Sequence, residues 1–143
     1  MRQSLIAILS FFVLVASSYA EVHEVKMLNR GQSGPMVFEP DYIEIKPGDS
    51  IKFIATHKSH NAASIPELRP EGSALFKGKI NEELEVPFDI PGFYGIQCTP
   101  HFSVGMVMVV KVGEANLPDN FRTYKAPGKS DKRLKDIIHN NKL

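Results

Sequence analysis

The sequence predicts an all-β sandwich with a helical appendage at its C-terminal end. Short segments rich in β-branched and aromatic residues, seven or eight of them, recur along residues 21–113 with turn residues between them. No helical periodicity interrupts that region, whereas residues 114–143 place apolar side chains at helical spacing among charges. Tryptophan is absent, so the buried tryptophan of immunoglobulin domains is missing.

The elements follow in order. Residues 22–28 alternate loosely and form a first strand. Residues 29–35 (Asn-Arg-Gly-Gln-Ser-Gly-Pro) have the composition of a loop. Apolar character resumes at Met36-Val37-Phe38, breaks at Pro40, and returns with period two at Tyr42-Ile43-Glu44-Ile45. Lys46-Pro47-Gly48-Asp49 has proline and then glycine at the centre of a tight turn. In residues 50–55, Ile51, Phe53 and Ala55 share one face and Lys52 lies on the other. Residues 73–79 hold a short edge segment, and residues 82–88 alternate acidic and apolar side chains as a half-exposed strand does. Residues 93–98 and 104–112 form the last strands; the second is nearly continuously apolar, which places it centrally. Leu117, Phe121 and Tyr124 then share one face of a short helix. Leu134, Ile137 and Ile138 mark another over residues 130–142, with Ser130 as its N-cap and Ala126-Pro127-Gly128 as the break between the two.

The N-terminal residues belong to none of these elements. Met1-Arg2-Gln3-Ser4 is positively charged, residues 5–16 are almost wholly apolar, and Ser18-Tyr19-Ala20 offers small residues flanking a cleavage point. This pattern predicts a secretory signal peptide over residues 1–20; its apolar core is short for a membrane span of about 20 residues. Residues 21–143 then form one domain, with the sandwich in 21–113 and the helical extension in 114–143. The chain has 17 basic and 16 acidic side chains, and removing Arg2 balances them, so bulk charge gives no reason to expect nucleic acid as a partner. A single cysteine in an exported chain has no internal disulfide partner and calls for another explanation.

Metal ligation supplies one. Cys98, His101 and Met106 fall within one short stretch at a strand–loop–strand junction, and His60-Asn61 follows an earlier strand. Loops cluster at the ends of a sandwich, which can bring these side chains to one point. Thiolate and thioether are soft donors, and two histidines, one cysteine and a weak axial methionine form the donor set of blue-copper electron-transfer sites. Zinc is the alternative metal, but structural zinc sites usually hold more cysteines, and neither loop offers a carboxylate for a catalytic one. Taken singly, Cys98 reads as a small buried hydrophobe, Met106 as core, and either histidine as a surface residue.

The pattern Cys98-x₂-His101-x₄-Met106, the text Tyr94-Gly95-Ile96-Gln97-Cys98-Thr99-Pro100-His101, the His60-Asn61 pair and the C-terminal helices resemble the cupredoxins, and among them the pseudoazurins. The resemblance implies an eight-stranded Greek-key sandwich and one mononuclear type 1 copper held by His60, Cys98, His101 and Met106. It also implies a monomeric periplasmic electron carrier rather than an enzyme, with a cytochrome as donor and nitrite reductase or nitrous-oxide reductase as acceptor. Asn61 is expected to brace the two ligand loops with Thr99 and to aim its backbone N–H at the Cys98 sulfur. Pro100 removes a donor near the metal, and Met36 packs near His101. Lys58, Lys77, Lys79, Arg30 and Lys129 could ring the metal end with positive charge, although Gln97 stands where a lysine is common. His23, His57 and His139 read as surface residues. A copper-handling or storage protein is the other reading, but no methionine-rich or histidine-rich tract is present. A copper oxidase or reductase would need further histidines for a second metal.

Overall fold

A computed structural model describes residues 19–143. The predicted signal peptide lies almost wholly outside the described residues. Eight strands form two four-stranded sheets, and two α-helices follow. The strands are β1 (Val22–Gly31), β2 (Gly34–Glu39), β3 (Tyr42–Ile45), β4 (Ser50–Ile54), β5 (Ala63–Ser64), β6 (Leu84–Pro87), β7 (Gly92–Gln97) and β8 (Val107–Val112). Their order is β2-β1-β4-β6 in one sheet and β3-β8-β7-β5 in the other, so the chain passes repeatedly between sheets as a Greek-key sandwich does. The helices are α1 (Asp119–Thr123) and α2 (Lys129–Asn140).

The apolar run that ends in β8 serves two cores. Met106, Met108, Val110 and Val112 face the space between the sheets, where they join Val25, Met27, Phe38, Ile51, Phe53 and Phe88. Val107 and Val109 face the opposite way and are covered, with Phe93, by Phe121 of α1 and Leu134, Ile137 and Ile138 of α2. A strand buried on both faces reads as a continuous apolar run rather than an alternating one. The helical extension is thus the outer wall of a second core.

Four expectations are corrected. Residues 29–35 are not one loop: β1 continues to Gly31, β2 begins at Gly34, and only Gln32-Ser33 turns the chain. Cross-strand pairing of Arg30 with Pro35 and of Gly31 with Gly34 overrides the loop composition. The last strand starts at Val107 and not at 104, because Thr99–Val104 coils into a 3₁₀ helix. Ser130 is not an N-cap. Gly128 holds that position at φ 55°, and Ser130, fully buried in the first turn, donates its hydroxyl to the Phe102 carbonyl. A Cβ on Gly128 would meet the Ser103 carbonyl oxygen at 2.1 Å, so both space and backbone angle require glycine there. These contacts seat α2 directly on the 3₁₀ helix. Residues 73–79 also contribute less than expected, only a bridge from Lys77 to Ala63 of β5.

At the opposite end, Asp49 gathers the start of β1. Its carboxylate accepts from the Glu21 N–H at 2.9 Å, the Lys46 N–H at 2.9 Å and the His23 ring at 3.0 Å. These bonds, the one from Glu21 foremost and then those from His23 and Lys46, hold the carboxyl down to about 2. A carboxylate depressed in the folded state stabilises it above its unfolded value near 4 and loses that contribution as pH falls through its folded value. Thermal unfolding should therefore lose a few degrees of midpoint between about pH 4 and pH 2, and Asp49→Ala should flatten that dependence; an equal slope in both proteins would show that other carboxyls carry it.

Candidate metal centre

The candidate donors meet where β4 and β7 end. The 3₁₀ helix brings His101 back over Cys98, because the Cys98 carbonyl accepts the His101 N–H at 3.1 Å. Gly105, at φ 113°, turns the chain so that Met106 N–H reaches the His101 carbonyl at 3.1 Å and the Met106 carbonyl accepts the Cys98 N–H at 3.0 Å. His60 arrives from the loop after β4, pinned by its carbonyl, which accepts the Asn81 N–H at 2.8 Å.

His60 Nδ1 lies 3.1 Å from His101 Nδ1, and Cys98 Sγ lies 3.7 Å and 3.5 Å from those two nitrogens. Two donors bound to one metal at about 2.0–2.3 Å and at tetrahedral to trigonal angles stand roughly 3.3–4.0 Å apart. Both sulfur–nitrogen separations fall in that span, and the nitrogen pair is slightly closer. Cys98 and His60 are fully buried, and His101 is half-exposed. Met106 is fully buried in the inter-sheet core with Cys98. His57 stays outside, its Nδ1 accepting the Asn29 N–H at 2.9 Å.

The surroundings prepare each donor. His60 Nε2 donates to Asn29 Oδ1 at 2.8 Å, which leaves Nδ1 with its lone pair directed at the cluster. Burial, with the nearby His101 and His57 rings adding to it, pushes the His60 imidazole down to about 4, so it is neutral at ordinary pH. Burial pushes the Cys98 thiol up, and the backbone N–H groups of Asn61 and His101 oppose it by favouring the thiolate. The Asn61 side chain spans both loops. It accepts the Thr99 N–H at 2.7 Å and donates to Thr99 Oγ1 at 3.1 Å and to the Gly78 carbonyl at 2.9 Å.

Several positioning residues had no signal in the sequence. Asn29 sits in what reads as a loop, yet it orients His60. Asn81, in a left-handed conformation at φ 66°, holds the His60 loop through its N–H to the His60 carbonyl and its Oδ1 to the Ser59 N–H at 2.6 Å. Arg133 reaches from α2 to the Pro35 and Met36 carbonyls at 3.4 and 3.3 Å, tying the helix to the β1–β2 side of the centre.

A two-sheet sandwich that closes two imidazoles and a buried thiol at one end defines a mononuclear cupredoxin-type copper protein. The comparisons agree. Residues 25–113 match the copper-binding proteins of the plastocyanin/azurin family. The chain is 48% identical over 128 residues to pseudoazurin of Paracoccus pantotrophus, covering 87% of each chain. Solved pseudoazurin structures superpose well. That from Methylobacterium extorquens gives a TM-score of 0.78 at 39% identity, covering 84% of this chain and 98% of that one. That from Hyphomicrobium denitrificans gives 0.75 at 40% identity, covering 83% and 97%. The chain belongs to the plastocyanin/azurin family of copper-binding proteins, and within it to the pseudoazurin group.

Proposed function

We propose that this protein is a periplasmic one-electron carrier in which His60 Nδ1, Cys98 Sγ and His101 Nδ1 would hold one copper ion, with Met106 as a weaker fourth donor. The observation that carries this reading is the convergence of one thiol and two imidazole nitrogens within 4.8 Å of one another at one end of the sandwich. Copper supplies a Cu(II)/Cu(I) couple there, with no substrate bond made or broken. The protein fixes the donors through backbone hydrogen bonds, Asn29 and Asn61, so the same geometry serves both oxidation states. His101 is the half-exposed donor and forms the electron port. Pro35, Pro100 and Val104 are exposed in the segments that meet there, and they offer small or apolar surface for a brief encounter.

Charge would steer that encounter. Lys58, Lys77, Lys79, Arg30 and Lys129 are all exposed, and none makes an ion pair among the described residues. Five unpaired cations suit an acidic partner surface and predict association that weakens with salt. Denitrification reductases as acceptors and a cytochrome as donor remain part of the proposal. Export is part of it too: the leader ends at Ala20, and no helix among the described residues is long and apolar enough to cross a membrane.

Adding Cu(II) to the chain starting at Glu21 tests the reading. The expected result is intense blue absorption from thiolate-to-copper charge transfer, with a reversible one-electron wave at positive potential. A colourless adduct, or a protein that holds only Cu(I) and shows no wave, would favour the copper-handling alternative.

A further inference from the structure

We propose that a second metal site forms at the start of β1, on the Glu21-Val22-His23 backbone, and that it takes square-planar Cu(II), with Ni(II) as its probe. The proposal rests on the reading that the leader is removed after Ala20, so that Glu21 carries a free α-amine. The donors would then be that amine, the backbone amide nitrogens of Val22 and His23, and the His23 imidazole. A histidine third from a free amine closes fused chelate rings around one ion, with all four nitrogens in a plane. Tetragonal nitrogen sites select Cu(II) and Ni(II), with Cu(II) the tighter of the two. Binding releases one proton from the ammonium and one from each amide to the solvent.

The structure adds what the tripeptide alone does not show. The Glu21 backbone N–H lies 2.9 Å from Asp49 Oδ1, and His23 Nε2 lies 3.0 Å from Asp49 Oδ2, so one buried carboxylate gathers the ring and the nitrogen that becomes the amine once the leader is removed. A carboxylate oxygen of Glu21, one of Asp49 and a His23 ring nitrogen also lie within 4.8 Å of one another, which sets two negative groups beside a bound cation. With Nε2–H given to Asp49, the His23 ring presents Nδ1 as its lone-pair nitrogen, and Nδ1 is the atom this chelate needs. A carboxylate behind the outer ring nitrogen is the usual support of a metal-bound histidine.

Access and cost favour the site. Glu21 and Val22 are exposed, Val22 by 51%. The residues lie at the very end of the β1–β4 ladder, where Val22 pairs with Ser50 and His23 with Ile51. Terminal pairs fray readily, so freeing two amide nitrogens disturbs little of the sandwich. Asn29, which orients His60, stands seven residues along the same strand, roughly 23 Å away at about 3.3 Å per residue. The two metals are therefore independent and separately readable.

The test uses the full domain with its copper centre already filled, in one form that begins at Glu21 and in another that begins at Ala20. The form beginning at Glu21 should bind one further equivalent of Ni(II) or Cu(II), giving a square-planar ligand-field spectrum and leaving the blue band unchanged. One extra residue puts the amine out of reach, so the Ala20 form should bind at least about 100-fold more weakly, as should His23→Gln. Asp49→Asn should cost about 10-fold, in the range expected for losing a ligand's hydrogen-bond partner. Absence of a further equivalent in the Glu21 form, or equal binding by the Ala20 form, overturns the site. The mass of the exported protein tests the leader separately: a start at another residue refutes cleavage after Ala20, whatever the chelate does in the Glu21 form.

Discussion

Cys98→Ala should produce a colourless protein that is still folded. Among the described residues the thiol is the only soft anionic donor at the centre, and two imidazoles 3.1 Å apart cannot replace its charge transfer. The apo fold should tolerate the change. Cys98 is fully buried, and removing one sulfur atom from the inter-sheet core costs about 1 kcal/mol. The larger loss appears on adding copper. A ligand at about 100 times its Kd stabilises the folded state by about 2.7 kcal/mol, and the variant should forgo most of that. Thermal midpoints with and without Cu(II) measure both quantities: the apo values should differ by a few degrees, and the copper-induced rise should nearly vanish. Cys98→Ser is the stricter control, since it keeps an atom at the sulfur position. A blue serine or alanine variant would show that the charge transfer arises elsewhere.

The reach of sequence reasoning here follows from how each contact is encoded. Cys98, His101 and Met106 are neighbours in the chain, and their spacing together with the flanking apolar strands makes the loop legible without coordinates. His60 is legible through its resemblance to the cupredoxins, in which the His60-Asn61 pair matches the family pattern, whereas His57 has no such match. Asn29 is not legible. It lies 31 residues from the ring it orients, inside a Gly/Ser/Pro-rich stretch that looks like a loop, and only the β1–β2 pairing makes it part of a strand. The same reason hides Ser130. Its position before a helical pattern matches an N-cap, but the cap falls two residues earlier, at Gly128, where the Ser103 carbonyl leaves no room for a side chain. Strand β8 shows the opposite case. Its apolar run, interrupted only by Lys111, announces burial on both faces, and the second covering layer is the helix pair that periodicity also finds. Local pattern therefore gives most of the elements and the candidate donors. Contacts between distant segments give the groups that orient them.

Asn61→Ala tests that second set, and it should cost both stability and metal retention. Asn61 is 2% exposed, and its amide is fully used: Oδ1 accepts from Thr99 N, and Nδ2 donates to Thr99 Oγ1 and Gly78 O. Alanine removes all three bonds at once. Thr99 is exposed, so water can take over there, but Gly78 is buried and loses the amide donor to its carbonyl. An unsatisfied buried group costs about 1–3 kcal/mol, and the lost bonds to Thr99 bring the expected destabilisation to about 2–4 kcal/mol. The effect on the centre is separable. The Asn61 backbone N–H toward the Cys98 sulfur survives the substitution in kind, but the loop that aims it loses its tie to the loop carrying His101. Loss of such a support typically lowers metal affinity by about 10–100-fold. Thr99→Ala breaks only the bond to its hydroxyl and should show a small fraction of both effects. Asn61→Asp keeps the acceptor for Thr99 N–H but buries a carboxylate with its second oxygen against the Gly78 carbonyl, so it should destabilise at least as much as alanine. Urea unfolding of the apo proteins reads the stability, and competition for copper by a chelator reads the affinity. If Asn61→Ala lowers stability while copper affinity and the blue spectrum hold, the residue is a strut for the fold and the geometry of the donors is set by the backbone of the 3₁₀ helix alone.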